Sequence, residues 1–157
     1  MTIDTAELIA HASAAGITIA TAESCTGGMI AAALTEVPGS SAVVDCGFVT
    51  YSNTAKMRML GVRAETLEAH GAVSEQVAAE MAAGALAHAG VTLAVSVTGI
   101  AGPGGSEFKP EGRVCFGLCR AGQPPVTETL EFGAIGRANV RSATREHALA
   151  LLRQAIS

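Results

Sequence analysis

Three short segments of the chain hold residue types that chemistry uses. The first is Thr21-Ala22-Glu23-Ser24-Cys25-Thr26-Gly27-Gly28. Ser24 falls in a turn expected between a strand and a helix, and a serine so placed is a candidate nucleophile. The amides of Cys25, Thr26 and Gly27 would then point out of a helix N-terminus, where unpaired N–H groups and the dipole favour negative charge. Such a turn would serve as an oxyanion hole, at roughly 3–4 kcal/mol per donor. Capping of the helix by Ser24 or Thr26 explains the same pattern without any chemistry. The glycine spacing is not that of a Walker loop.

The second segment runs from Tyr51 to Lys56 and places Lys56 in the first turn of a short helix. The helix dipole disfavours a cation there, so the neutral amine is easier to reach. A neutral lysine is a general base, a role that arginine cannot fill. The chain has two lysines, Lys56 and Lys109, beside eight arginines, so a lysine stands out. Tyr51 ends the preceding strand and is placed to orient Lys56 or a substrate. The plainer alternatives are a solvated Lys56 and a Tyr51 that only packs at the sheet edge.

The third segment is Thr98-Gly99-Ile100-Ala101-Gly102-Pro103-Gly104-Gly105. Its glycines would let a ligand approach the backbone, although an ordinary turn has the same composition. Lys109-Pro110 would fix this loop where it returns to the next strand. Arg137 and Arg141 are four apart and share a helix face, where they would hold a phosphate together with the helix N-terminus or simply form a solvated basic face. His11, His70, His88 and His147 are scattered, so no metal site is expected. With no Ser/His/Asp set in view, a Ser/Lys pair is the better reading.

The elements needed to position these segments are legible. Asp4 or Thr5 caps a first helix that Gly16 ends. Strands are expected at 17–22, 42–51, 93–98, 112–120 and 126–132, and helices at 27–35, 53–60, 64–69, 74–88 and 137–156. The turn at Gly122-Gln123-Pro124-Pro125 makes the last two strands a hairpin. Helices between strands predict an α/β fold, a three-layer α/β/α sandwich with a mixed, mostly parallel sheet of about five strands. Ligands of such sheets bind beyond the carboxyl ends of the strands, where all three segments lie.

Composition bounds the rest. The 157 residues suit one domain, 1–157, and at that length roughly 70% of the unfolded chain's surface is buried on folding. Apolar residues are 49% and aromatics 3%, so the core must be built from small and branched side chains. The net charge of -4 offers nothing to nucleic acid or an anionic membrane. No run approaches the ~20 apolar residues of a membrane span, and the start does not read as a signal peptide, so a cytoplasmic location is expected. Cys46, Cys115 and Cys119 read as buried apolar thiols.

The first two segments, with Gly71-Ala72-Val73-Ser74-Glu75 and Ser96 to Pro103, resemble the CinA C-terminal family over nearly the whole chain. The resemblance implies hydrolysis of the carboxamide of nicotinamide mononucleotide, giving nicotinate mononucleotide and ammonia without cofactor or metal. It implies Ser24 as nucleophile, Lys56 as base and Tyr51 lining the site. Substrate contacts are expected from Cys25, Thr26, Gly27, Thr98, Gly99, Arg137 and Arg141. The family often has an acidic residue after the proline of the third motif, whereas here Pro103 runs directly into Gly104-Gly105. Larger members carry a further N-terminal domain, which this chain is expected to lack. A homo-oligomer, with a dimer favoured, is expected. Cys25 as nucleophile beside Glu23 and Lys56, or a nucleotide-binding module without turnover, are the competing readings.

Overall fold

The computed structural model describes residues 2–106 and 108–157. Among these, the strands are β1 (Ile19–Glu23), β2 (Val44–Val49), β3 (Leu93–Gly99), β4 (Arg113–Arg120) and β5 (Val126–Glu131). The helices are α1 (Thr5–Ala14), α2 (Met29–Thr35), α3 (Asn53–Leu60), α4 (Ala64–His70), α5 (Glu75–Ala89) and α6 (Arg137–Ile156). The strands form one sheet in the order β2-β1-β3-β4-β5. β1 pairs in parallel with β2 and β3, while β4 is antiparallel to both β3 and β5. The sheet is mixed, as expected. Only two of its four pairings are parallel, because β4 runs against both neighbours: the loop after Gly99 reverses the chain into β4 and the hairpin turn reverses it again into β5.

Central strands are buried on both faces: every residue of β1 is buried, and β3 is buried from Leu93 to Thr98. Alternation then divides the core into two unlike layers. Leu93, Val95 and Val97 face α1, α2 and α6, packing with Leu8, Ile30, Leu149 and Leu152. Each such leucine contributes about 2 kcal/mol by leaving water. The opposite face presents Ala20, Ala22 and Ala94 to Val77, Met81 and Ala85 of α5 and to Leu60 of α3. Side chains this small let α5 come down onto the sheet backbone. Ser96 Oγ donates to the carbonyl of Ala78 at 2.6 Å, and a Cβ at Gly117 would lie 2.5 Å from the same oxygen.

Local sequence sets the helix ends. Asp4, Ser52 and Ser74 cap α1, α3 and α5, each accepting a backbone N–H two or three residues into the helix. Gly61 and Gly90 end α3 and α5 in the left-handed region. The expected start of the second helix is corrected. α2 begins at Met29 rather than Gly27, because Gly27 and Gly28 both adopt positive φ, +58° and +108°. A left-handed pair cannot be the first turn of a right-handed helix. The expected loop at 38–41 tightens into a short 3₁₀ turn, Ser40–Ala42.

Candidate active site

β1 and α3 bring the first two segments together. Ser24 follows the last residue of β1 and is almost fully buried. Just past β2, the Thr50 N–H donates to the Glu23 carbonyl at 2.8 Å, so the chain entering α3 is tied to the end of β1. Ser52 then starts α3 by accepting from the Ala55 N–H at 3.0 Å. Lys56 sits in the first turn of α3, turned inward and 1% exposed. Its Nζ donates to Ser24 Oγ at 3.0 Å and to the Thr50 carbonyl at 2.8 Å. A surface lysine is thereby ruled out. The side chain lies within proton-transfer distance of the one serine hydroxyl in the turn.

The pair opens onto a cleft of about 370 Å³. Ser24, Cys25, Tyr51 and Lys56 line one side, and Thr98 with the loop from Gly99 to Gly105 lines the other. Thr98 Oγ1 donates to the Ala72 carbonyl at 2.8 Å. Lys109 Nζ donates to the carbonyls of His70 and Val73, both at 2.6 Å, so it ties the glycine-rich loop to the chain between α4 and α5. Arg137 spans the mouth, donating from Nη1 to the Gly102 carbonyl at 2.7 Å and from Nη2 to the Tyr51 hydroxyl at 3.1 Å. Tyr51 is 64% exposed, which places it at the rim rather than in a packed sheet edge.

Of the residues singled out from sequence, Ser24, Cys25, Tyr51, Lys56, Thr98, Gly99 and Arg137 meet at this cleft. Thr26, Gly27 and Arg141 lie behind it. Thr26 is buried with its hydroxyl on Glu23 at 2.5 Å. The Gly27 amide donates to the Ser24 carbonyl at 3.1 Å, which folds the turn back on itself. Arg141 donates from Nε to the Cys25 carbonyl at 3.0 Å and from Nη2 to the Thr26 carbonyl at 3.3 Å. Its guanidinium braces the Ser24 turn from the side of α6. Helix spacing gives Arg137 and Arg141 a shared face, but their ends reach different neighbours.

Glu23 is the residue that sequence reasoning undervalued. It is fully buried, and its carboxylate accepts from Thr26 Oγ1 and from the amides of Gly28, Ile30 and Ala31 at 2.5–3.1 Å. The donors at the start of α2 are therefore already occupied. The amides of Cys25 and Thr26 donate to no backbone carbonyl among the described residues. A carboxylate ending an all-buried strand, just before a helix, is the signal that could have found this role. Glu111 is a second such residue. Its carboxylate accepts from the Gly104 N–H and fills the hollow beside Gly102, where a Cβ would approach it to 2.7 Å. Pro103 is followed directly by Gly104-Gly105, and the chain leading into β4 brings the Glu111 carboxylate to them.

Cys25 stands beside the pair but is chemically unlike it. Burial pushes its thiol up to about 11; the nearby Glu23 carboxylate adds to this, while its own amide, Lys56 and Arg141 oppose it. Cys115 and Cys119 are buried and Cys46 is half-buried, all with thiols raised chiefly by burial. Among the described residues no group of three or more His, Cys, Asp or Glu is placed to hold a metal ion, and no helix is long and apolar enough to cross a membrane.

The sequence matches the CinA C-terminal domain over residues 3–156. The chain belongs to the CinA C-terminal domain family. Within that family it is 54% identical over 132 residues to the nicotinamide-nucleotide amidohydrolase PncC of Escherichia coli K12, covering 83% of this chain and 80% of that one. It is 62% identical over 120 residues to a CinA-like protein of Chlorobium phaeobacteroides, covering 74% of this chain and 29% of the relative. A CinA-like protein of Chloroherpeton thalassium is 53% identical over 146 residues, covering 90% of this chain and 34% of that one. The chain thus spans about a third of the length of these CinA-like relatives. Among solved structures, the competence/damage inducible protein CihA of Agrobacterium tumefaciens superposes with a TM-score of 0.91 at 49% identity, covering 99% of both chains. A CinA superfamily protein of Escherichia coli gives 0.91 at 39% identity, covering 96% of this chain and 87% of that one.

Proposed function

We propose that this protein is an amidohydrolase that converts nicotinamide mononucleotide to nicotinate mononucleotide and ammonia, with Ser24 as nucleophile and Lys56 as general base. The observation that carries the reading is the buried contact of 3.0 Å between Lys56 Nζ and Ser24 Oγ at the floor of a cleft. The 54% identity to an enzyme named for amide hydrolysis of nicotinamide nucleotides supports the choice of substrate.

Burial of Lys56 and its place in the first turn of α3 both disfavour the charged ammonium. The neutral amine takes the Ser24 proton as Oγ attacks the carboxamide carbon. The amides of Cys25 and Thr26, which donate to no backbone carbonyl among the described residues, are the donors assigned to the oxyanion. Lys56 then gives the proton to the departing nitrogen, which leaves as ammonia. In the second half, Lys56 deprotonates water, the acyl ester is cleaved and Ser24 recovers its hydrogen. Arg137 and Tyr51, at the mouth, are assigned to the ribose phosphate, and Arg141 to bracing the turn. Ser24 is favoured over Cys25 because Lys56 Nζ meets the Ser24 hydroxyl, while burial holds the Cys25 thiol near 11.

Ammonia release from nicotinamide mononucleotide, measured beside Ser24→Ala and Lys56→Ala, tests the assignment. Both variants should stay folded and lose at least about a thousandfold in kcat. Full activity in Ser24→Ala overturns it. Tight binding of the mononucleotide with no ammonia from the unaltered chain would instead favour a non-catalytic nucleotide-binding module.

A further inference from the structure

We infer that Glu23 is a positioning residue for Ser24, acting through the start of α2 rather than by touching substrate. The inference rests on the Ser24–Lys56 reading above.

The peptide that joins Glu23 to Ser24 is held from both ends. On the side-chain end, the Glu23 carboxylate gathers four donors: Thr26 Oγ1 at 2.5 Å and the amides of Gly28, Ile30 and Ala31 at 3.1, 3.0 and 2.9 Å. All four belong to the segment just beyond Ser24, so the turn that carries Ser24 is closed into a loop around one buried anion. On the backbone end, the Glu23 carbonyl accepts the Thr50 N–H at 2.8 Å. The carbonyl of Thr50 itself, just past the neighbouring strand β2, accepts from Lys56 Nζ at 2.8 Å. A continuous path therefore runs from the α2 amides through Glu23 and Thr50 to Lys56, and returns at Ser24 Oγ.

A buried carboxylate is costly unless its oxygens are satisfied, and here every neighbour that reaches it is a donor. The reach also matters. Oε1 serves three donors and Oε2 only the Ala31 amide. A glutamine can keep the first three and lose the fourth. An aspartate keeps the charge but, one methylene shorter, withdraws from α2. A side chain needed only for charge would tolerate aspartate; one needed to set the turn would tolerate glutamine better.

The test compares Glu23→Gln, Glu23→Asp and Thr26→Val in the full chain. It uses two readouts: ammonia release from nicotinamide mononucleotide, and labelling of Ser24 by a serine-directed sulfonyl fluoride followed by intact mass. In folded protein the expected result is a kcat loss of about tenfold for Glu23→Gln and Thr26→Val and about a hundredfold for Glu23→Asp. KM should change less than threefold, and labelling should slow in the same order. If a Glu23 variant fails to fold, Thr26→Val, which removes one donor and leaves the anion, carries the test alone. Wild-type kcat and labelling in the folded variants overturn the inference, as does a KM that rises as much as kcat falls. An unaltered chain whose Ser24 neither labels nor supports ammonia release overturns the Ser24–Lys56 reading instead.

Discussion

The close seating of α5 predicts that a single methyl group far from the cleft will disable it. Gly84 lies in α5 against the end of α3, and a Cβ there would stand 1.9 Å from the Leu60 carbonyl oxygen and 2.8 Å from its carbon. Leu60 is the last residue of α3, one turn beyond Lys56. Both obstructing atoms are backbone, so no side chain can rotate away. Relief requires α3 and α5 to part by about 1 Å. In a solvated helix, Gly→Ala would stabilise by about 1 kcal/mol. Overpacking here costs about 1–3 kcal/mol, so the net effect runs from about zero to about 2 kcal/mol of destabilisation. In a domain of this size that lowers Tm by roughly 2–4 °C per kcal/mol. The functional effect should be larger than the thermal one. A displacement of about 1 Å takes Lys56 Nζ from 3.0 Å beyond hydrogen-bond reach of Ser24, and misplacement on that scale costs on the order of a hundredfold in rate. Calorimetry and ammonia release on Gly84→Ala measure the two effects side by side. A variant with raised Tm and unchanged kcat would refute the idea that backbone contact between α5 and α3 sets the position of Lys56.

Two further outcomes are expected. Thr21 Oγ1 is buried with no hydrogen-bond partner among the described residues, so Thr21→Val should raise stability by about 1 kcal/mol in urea denaturation, and a loss of stability would contradict that account. The Cys25 thiol is pushed from 9.0 to about 11, so its contribution to stability is complete below pH 9 and is lost as pH rises through about 11. Cys25→Ala should flatten the alkaline fall of Tm between those values, and an identical alkaline profile in the variant would count against the burial argument.

Residue type carried much of the site into view. Ser24 and Lys56 stand out because each is chemically capable and each sits where a strand gives way to a helix. What sequence could not display was direction. Thr26 has the composition of a ligand-binding residue, yet its hydroxyl turns inward to Glu23. Arg141 shares a helix face with Arg137, yet reaches carbonyls of the turn while Arg137 reaches the loop. The later start of α2 depends on two consecutive glycines taking positive φ, and glycine spacing alone does not fix the sign of a dihedral. The hairpin was legible from its turn. Its effect on the balance of parallel and antiparallel pairing appears only once β4 is seated beside β3.

The two layers flanking the sheet also differ in how freely they can change. Where Leu93, Val95 and Val97 meet α1, α2 and α6, side chains fill the space, and branched aliphatic residues can exchange if total volume is kept. Where α5 rests on the sheet and on α3, the boundary is drawn by main-chain atoms at Ala78 and Leu60 against Gly117 and Gly84. No repacking compensates for an added carbon there. A random library spread over the whole chain should therefore accept diversity on one side of the sheet and almost none on the other. Efforts to stabilise the fold by redesign should begin in the aliphatic layer and leave the α5 side as it stands.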